Sequence, residues 1–454
     1  MKQSLKAIIT MTFFSLCVGL ILTTAAQAAT LTVTSTGDTT VGAAGCADGC
    51  SLREAITTAA AGDTINFSSL FNTAQTINLT SQLPTIGKNL IITGTGARLL
   101  TVRRSTATNY RIFDITAGTV RISGMTISNG SDSSGGGGGV TTSGTSSVVT
   151  LDGVTVSGTS SLSVAAVDNL GGTLTILNST ISNNSTIGVA SEGTAVNIAN
   201  STISGNNGTS VGVAGGIYNS TTLNLNNVTV ANNVNGGIEN FGTTNIRNTI
   251  ITGSTGRADA LGGFTSQGNN LVSNLGTATG FSAASGDKLN VAANIAALAN
   301  NGGQTDTHRP NTGSPAINAG NNCVVTATCG TNNPPVALTT DQRGTGFGRQ
   351  GGTAVDIGAI EAVPPTAANA SISGRVLTAD GRGITHVSIT VSGGNLSEPK
   401  VVRTSSFGYY SVTDLVAGET YIVEIRAKRY LFTNSTRVIN LMEDISDQNF
   451  IAEQ

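Results

Sequence analysis

The stretch VRISGMTISN (120–129) returns as VTLDGVTVSG (149–158), LTILNSTISN (174–183), VNIANSTISG (196–205), LNLNNVTVAN (223–232) and TNIRNTIITG (244–253). The phrases start 29, 25, 22, 27 and 21 residues apart. A unit of this size is one strand–bend–strand element that cannot bury its apolar face alone and must stack on copies of itself. Within each phrase the first and third residues are mostly apolar and alternate with polar ones, the period of a strand with one buried face. The fifth residue is Asn or Gly: Gly124, Gly153, Asn178, Asn200, Asn227 and Asn248. Both types tolerate left-handed backbone, so the chain bends there. The alternation then restarts. Ile127, Val156, Ile181, Ile203, Val230 and Ile251 are expected to stack inward as an aliphatic ladder. Thr126, Thr155, Thr180, Thr202 and Thr229 are expected to point outward, with Ile250 breaking their row. Stacked Asn at equivalent bends is expected to hydrogen-bond from turn to turn.

A helical reading fails, because Gly and β-branched residues dominate and the 3.6-residue period is missing. The chain has 454 residues with 58 Gly, no Trp and 4% aromatic residues. That suits thin stacked coils better than a large globular core. The expected fold class is all-β: a right-handed parallel β-helix with capped ends, followed by a small β-sandwich.

The formal charge is −2, and −4 once Lys2 and Lys6 of the leader are subtracted. Nothing there calls for nucleic acid, which needs a basic patch. Lys2 and Lys6, an apolar run over 8–22 and the small-residue site Ala26-Gln27-Ala28 make 1–28 a signal peptide. The apolar run is short for a membrane anchor, and no second apolar span follows. The expected destination is the cell surface or the extracellular space. Four cysteines remain: Cys46, Cys50, Cys323 and Cys329. Three pairings are open. The local pairs Cys46–Cys50 and Cys323–Cys329 are favoured, because each closes one short loop in an oxidising compartment. Metal binding is the rival, but only His308 and His386 are available and there is no paired CxxC motif, so no metal or cofactor is expected.

An open solenoid exposes apolar core and strand edges, so both ends need covers. At the N-terminal end TLTVTST, from Thr30, alternates like a strand. Ser51 and Glu54 of Cys50-Ser51-Leu52-Arg53-Glu54-Ala55-Ile56 then form a capping box that starts a short helix. Leu52, Ala55 and Ile56 give that helix an apolar side. Ser51, Arg53 and Glu54 are read as structural cap residues. The phrase resembles the CSLREA domain of secreted bacterial proteins predicted to be β-helical, over about forty residues. At the other end stand Asn301-Gly302-Gly303-Gln304-Thr305, Thr307-His308-Arg309-Pro310, Gly313-Ser314-Pro315-Ala316-Ile317-Asn318-Ala319-Gly320, Asp341-Gln342-Arg343-Gly344, Arg349 and Asp356-Ile357-Gly358-Ala359-Ile360-Glu361. This string resembles the closing region of choice-of-anchor Q domain proteins, which implies a secreted β-helix with a surface-sorting element beyond it. No sorting motif is visible.

His308, Asp341, Asp356 and Glu361 are the catalytic candidates. They would supply acid–base chemistry if they converged, with Arg343 and Arg349 holding an anionic substrate. The structural reading takes precedence: Asp341, Arg343 and Asp356 pin an irregular cap with ion pairs and backbone hydrogen bonds, since buried charge must be paired.

Beyond Val363-Pro364-Pro365 the composition changes. From Ala370 onward there are 8 Lys/Arg and 9 Asp/Glu, against 2 and 5 between Val120 and Ile250. Alternating runs at 371–377, 386–391, 401–404, 409–412, 421–426 and 436–441 suggest a sandwich. Ser373-Gly374-Arg375-Val376, Asp380-Gly381-Arg382-Gly383-Ile384, Ser406-Phe407-Gly408-Tyr409-Tyr410 and the run from Leu415 to Tyr421 resemble the carboxypeptidase regulatory-like domain. That resemblance implies a transthyretin-like accessory module without catalysis of its own. Phe407, Tyr410, Leu415 and Tyr421 are its expected core.

The expected domains are therefore the leader (1–28), an N-terminal cap with the start of the solenoid (29–89), the β-helix (90–300), a C-terminal capping region (301–362), a linker (363–369) and the sandwich (370–454). The expected function is a non-catalytic surface or extracellular protein engaged in adhesion, with a polysaccharide or another cell-surface component as partner. The alternative is a polysaccharide lyase or glycoside hydrolase. Lyases need grouped carboxylates for a cation and a basic residue; hydrolases need paired carboxylates across the sugar bond. The repeats offer only Asp132, Asp152, Asp168, Glu192 and Glu239, never adjacent, with Arg121 and Arg247. Ice binding through the outward Thr row is a third, thinner reading. The run 135–139 is read as a flexible excursion between coils rather than a phosphate loop.

Overall fold

The computed structural model describes residues 28–39, 46, 49–160, 162–209, 212–362, 369–394, 396–417, 419–441 and 444–453. The expected signal peptide lies outside the described residues but for Ala28, and the linker but for its last residue.

Each phrase forms two short strands, and a third follows after a turn. Strand Thr119–Ser123 pairs in parallel with Val148–Asp152, and that strand with Thr173–Leu177. Strands Thr126–Ser128, Thr155–Ser157 and Thr180–Ser182 stack likewise. Ala195–Ser204 and Thr222–Ala231 run through the bend and belong to both stacks. A third parallel sheet of seven strands runs from Phe113–Ile115 to Ala260–Gly262. The result is a parallel β-solenoid. Its inward column follows the register Ile127, Val156, Ile181, Ile203, Val230, Ile251, Val272. Every member is fully buried in one continuous core. At roughly 1.5–3 kcal/mol per buried aliphatic side chain, this column and its neighbours drive the stacking.

The bends are left-handed as expected: Gly124, Gly153, Asn178, Asn200, Asn227 and Asn248 have φ between 45° and 61°. A second left-handed row, not anticipated, falls on the tenth residue of each phrase, where Asn and Gly alternate: Asn129, Gly158, Asn183, Gly205, Asn232, Gly253. The alternation has a steric cause. A Cβ on Gly205 would stand 2.8 Å from Asn183 Oδ1, so each Asn amide fills the space its glycine neighbour leaves. The turn-to-turn amide ladder also forms one position beyond this row. Asn184 Nδ2 donates to Asn206 Oδ1 at 2.8 Å, and Asn206 Nδ2 to Asn233 Oδ1 at 3.0 Å, all three fully buried. At the fifth-residue bends only Asn248 donates to its predecessor, Asn227, at 3.1 Å.

The run 135–139 is not an excursion. Residues 136–139 are buried, and Gly138 N and Gly139 N donate to Ala165 O and Ala166 O, so the end of this run leads straight into strand Val140–Thr142 of the third sheet. A Cβ on Gly139 would meet Val156 Cγ1 at 2.6 Å and Ala166 O at 2.8 Å, which is why glycine stands there.

Helix Leu52–Thr58 covers the N-terminal end. Glu54 N donates to Ser51 Oγ at 3.1 Å and Ser51 N to Glu54 Oε2 at 2.8 Å, the capping box read in the sequence. Arg53 grips Asp38 with Nε and Nη2, at 2.8 and 3.0 Å. Leu52, Ala55 and Ile56 join the solenoid core. Cys46–Cys50 and Cys323–Cys329 are disulfide-bonded.

Residues 301–362 depart from the expected end cap. They lie along the flank of the solenoid as a strap. Arg98 Nε donates to Gly303 O at 2.8 Å near one end, and Asn269 Nδ2 to Ala319 O at 2.9 Å near the other. The outward residues of the second strand stack are therefore covered. Thr180, Thr202 and Thr229 are buried, which removes the open Thr row that ice binding required. The physical reason is visible in the exceptions to the repeat. Ile250 and Leu271 point outward and pack with Ala293 and with Ala316 and Ile357 of the strap. Leu177 and Ala199 pack with Val324, Leu338 and Val355.

From Asn369 the chain forms two sheets. One orders strands Tyr409–Val416, Asn369–Leu377 and Phe450–Ile451; the other Lys400–Arg403, Ser388–Gly393, Glu419–Arg426 and Thr436–Leu441. Tyr410, Leu415 and Tyr421 form the core of this small sandwich. Phe407 does not: it is 70% exposed. It sits in a turn whose backbone is pressed against Gly383, so its side chain leaves the core.

Candidate functional site

The strap brings the sequence-selected charges together and occupies them. Asp341 Oδ1 accepts from Arg343 N at 2.8 Å, and Oδ2 accepts from Glu361 N at 2.8 Å and from Arg343 Nη2 at 2.6 Å. Asp356 Oδ1 accepts from Asn318 N and Oδ2 from Ala362 N, both at 2.6 Å. Glu361 Oε2 accepts from Asp356 N at 3.0 Å and from Arg349 Nη2 at 2.9 Å, and Oε1 from Gly351 N at 3.1 Å. Arg349 is wholly buried and also donates to the carbonyls of Asp356, Gly358 and Ala359 and to Asn200 Oδ1. Every oxygen of the three carboxylates thus holds a backbone N–H, and the Asp341 and Glu361 carboxylates carry a guanidinium as well. Charge-assisted bonds of this kind fix irregular backbone. Burial pushes Asp356 above the usual carboxylate range against the opposing amides, and pushes Glu361 up against the Arg349 charge.

His308 stands apart from those acids. Its Nδ1 lies 2.8 Å from Ala296 O and its Nε2 2.8 Å from Ser204 Oγ. A carbonyl can only accept, so Nδ1 carries the proton and Nε2 accepts from the Ser204 hydroxyl. Burial lowers the histidine's pKa, opposed by the Ala296 bond. Ser204 and His308 form the pairing of a nucleophile with its base, but both are 3% exposed and the third partner is a main-chain carbonyl. The arrangement ties strap to solenoid.

Gln342, quoted in the motif but given no role there, is the central pin. Its Oε1 accepts from Thr202 Oγ1 at 2.6 Å and its Nε2 donates to Thr180 Oγ1 at 2.8 Å and to Thr305 Oγ1 at 2.9 Å. A polar residue between two charged ones gave no sequence signal of burial.

Among the buried acids outside this network, Asp168 stands apart. Asp168, on the third sheet, is fully buried, and neither of its oxygens has a hydrogen-bond partner among the described residues. Burial first, then the charge of Glu192, pushes its pKa up to about 8. No group of three or more His, Cys, Asp and Glu residues able to hold a metal occurs among the described residues.

The first strand stack keeps an open outward column: Arg121, Thr150, Thr175, Asn197, Asn224, Asn245 in register. Asn224 Nδ2 donates to Asn197 Oδ1 at 2.8 Å and Asn245 Nδ2 to Asn224 Oδ1 at 2.9 Å, so the column is a pre-ordered polar ribbon.

No protein-family model matches the chain, and no curated protein matches it. Among solved structures it is similar to the pectate lyase Pel9A, with 11% identity and a TM-score of 0.30, over 73% of this chain and 96% of that one. A likeness at that level carries no argument about activity.

Proposed function

We infer that the chain is an exported, non-catalytic β-helix protein of the cell surface or extracellular space that holds a polysaccharide or another surface component. The saturation of Asp341, Asp356 and Glu361 by the strap's own backbone amides carries this reading. An acid that is buried and already holds a backbone donor on each oxygen is unavailable to a glycosidic bond. Two disulfides suit an oxidising compartment. The leader and the resemblances of the cap and strap to secreted bacterial β-helices support export. The open Asn and Thr ribbon of the first strand stack supports contact with glycan hydroxyls, which repeat along a polymer as rungs repeat along a solenoid. A lyase or hydrolase would need its carboxylates open to a groove. The test is a glycan and matrix-component array with the mature chain, run beside a polysaccharide lyase and hydrolase screen. The expected result is saturable binding without turnover. Turnover abolished by Asp341→Asn or His308→Ala would reject the reading.

A further inference from the structure

We propose that the C-terminal sandwich carries a binding site for an acidic polysaccharide. A pocket of about 580 Å³ opens where three strands of the four-stranded sheet begin or end, a volume within the usual ligand-site range. Arg403 and Arg426 flank Ser388 in register, one on each neighbouring strand. Cross-strand partners share a face, so the two guanidinium stems rise from the same side, roughly 10 Å apart at two strand spacings. Lys428 and Arg429 continue from the end of the Arg426 strand, and His386 and Tyr430 complete the walls. Among the described residues no Asp or Glu lines the pocket.

The decisive contrast is among the sandwich's eight cations. Four are committed elsewhere. Arg375 donates to Phe407 O and lies over Tyr409, and Arg437 lies over Phe450. Lys400 donates to Thr413 O and Asp414 O, and Arg382 pairs with Asp380. The other four all line this pocket. Among the described residues the side chains of Arg403, Lys428 and Arg429 make no hydrogen bond or ion pair, and Arg426 shares only the partly exposed Glu424. The segment's overall balance, 8 Lys/Arg against 9 Asp/Glu, gives it no net reason to concentrate positive charge. Three unpartnered cations, joined by Arg426, whose Glu424 partner holds it as Asp380 holds Arg382, converge on one concavity, the footprint of an anionic ligand.

The chemistry favours a glycan unit bearing a carboxylate or sulfate. Arginine forks take such groups in bidentate fashion, and Tyr430, 39% exposed at the rim, offers an aromatic face to a sugar ring. The positive field is bounded. The adjoining pocket of about 480 Å³ shares Arg429 and Tyr430 but carries Asp380 and Glu453. A nucleic acid needs a longer basic stripe, and a bilayer surface cannot enter a concavity.

This site uses none of the residues assigned to the solenoid, so its loss and the loss of solenoid binding are separable. The test titrates the mature full chain with a de-esterified oligogalacturonate and with a heparin-type sulfated oligosaccharide. A neutral cello-oligosaccharide, single-stranded DNA and phosphatidylserine vesicles run alongside. The acidic glycans are expected to bind. Arg403→Ala and Lys428→Ala are each expected to weaken that binding about tenfold, the loss of one charge-assisted contact. Arg382→Ala, which removes the same charge outside the pocket, is expected to leave binding within about twofold. Unchanged binding in the Arg403→Ala/Lys428→Ala double variant would overturn the proposal. So would an equal loss in Arg382→Ala, or tighter binding of DNA or vesicles than of either acidic glycan.

Discussion

Replacing Arg349 by Met should loosen the strap more than any other single change within it. The side chain is fully buried, and its guanidinium reaches three carbonyls, the Asn200 amide and the Glu361 carboxylate. Methionine keeps the apolar stem but leaves Glu361 buried without its counter-charge. Breaking a buried pair from one side costs about 3–5 kcal/mol, because the remaining ion is stranded. That corresponds to an opening equilibrium roughly two to four orders of magnitude larger. The sign of the pH dependence follows. Burial already raises Glu361 above the ordinary carboxylate value of 4.5, and losing Arg349 raises it further. The folded form then binds a proton that the unfolded form has released, so the penalty grows as pH rises from that value through the folded pKa. The assay is urea unfolding followed by circular dichroism at pH 5 and pH 8, with limited proteolysis across the strap. Arg349→Met should be strongly destabilised at pH 8 and less so at pH 5, and adding Glu361→Gln should recover part of the loss. A cost below about 1 kcal/mol at pH 8, or a double variant no better than the single one, would refute the reasoning.

Asp168→Asn should stabilise the solenoid. A carboxyl raised to about 8 takes a proton on folding, so its penalty grows as pH rises from the unfolded value near 3.8 and is complete above 8. Urea midpoints should match wild type near pH 4 and exceed it at pH 9; a destabilised variant at pH 9 would mean that the carboxylate has a partner. His308, lowered by burial, must be neutral in the fold, so wild-type stability should fall as pH drops below about 6.5, a slope that His308→Gln removes. Asn206→Leu breaks the interior amide ladder on both sides and should cost about 2–4 kcal/mol in the same assay, since the donors and acceptors left behind are buried. Ile181→Ala should cost about 2–5 kcal/mol as a cavity in the inward column.

The solenoid was legible because its repeat encodes period and bend together. The inward column from Ile127 to Ile251 and the left-handed fifth residues follow from alternation and from Asn or Gly placement. The second left-handed row was written there too, as Asn and Gly alternating at the tenth position, but its meaning is a contact between neighbouring rungs that no single rung displays. The capping box at Ser51 and Glu54 is a local motif, so spacing alone found it. The strap was harder. Its residues carry no period, and its partners lie more than a hundred positions away, as with Gln342 and Thr202. The available signal was Ile250 in the Thr row, together with Leu177 and Ala199 at outward positions: apolar residues that a bare face would not present. The acids and the kind of company they keep, an arginine and backbone amides, were legible, but which amides donate was not, since a backbone amide donating to a carboxylate leaves no trace in the sequence. Phe407 was misplaced because alternation places side chains in strands, not in turns. Three cations of the sandwich pocket, Arg426, Lys428 and Arg429, stand together in the sequence, but nothing there places Arg403 beside them.

Amide hydrogen exchange, resolved residue by residue at pH 7, tests most directly whether the strap's acids are locked. The N–H groups of Asn318, Arg343, Asp356, Glu361 and Ala362 all end on Asp341, Asp356 or Glu361. They should exchange as slowly as the ladder amides of Ile203 and Val230. Exchange on the time scale of an open loop would leave these carboxylates free for chemistry and contradict the account.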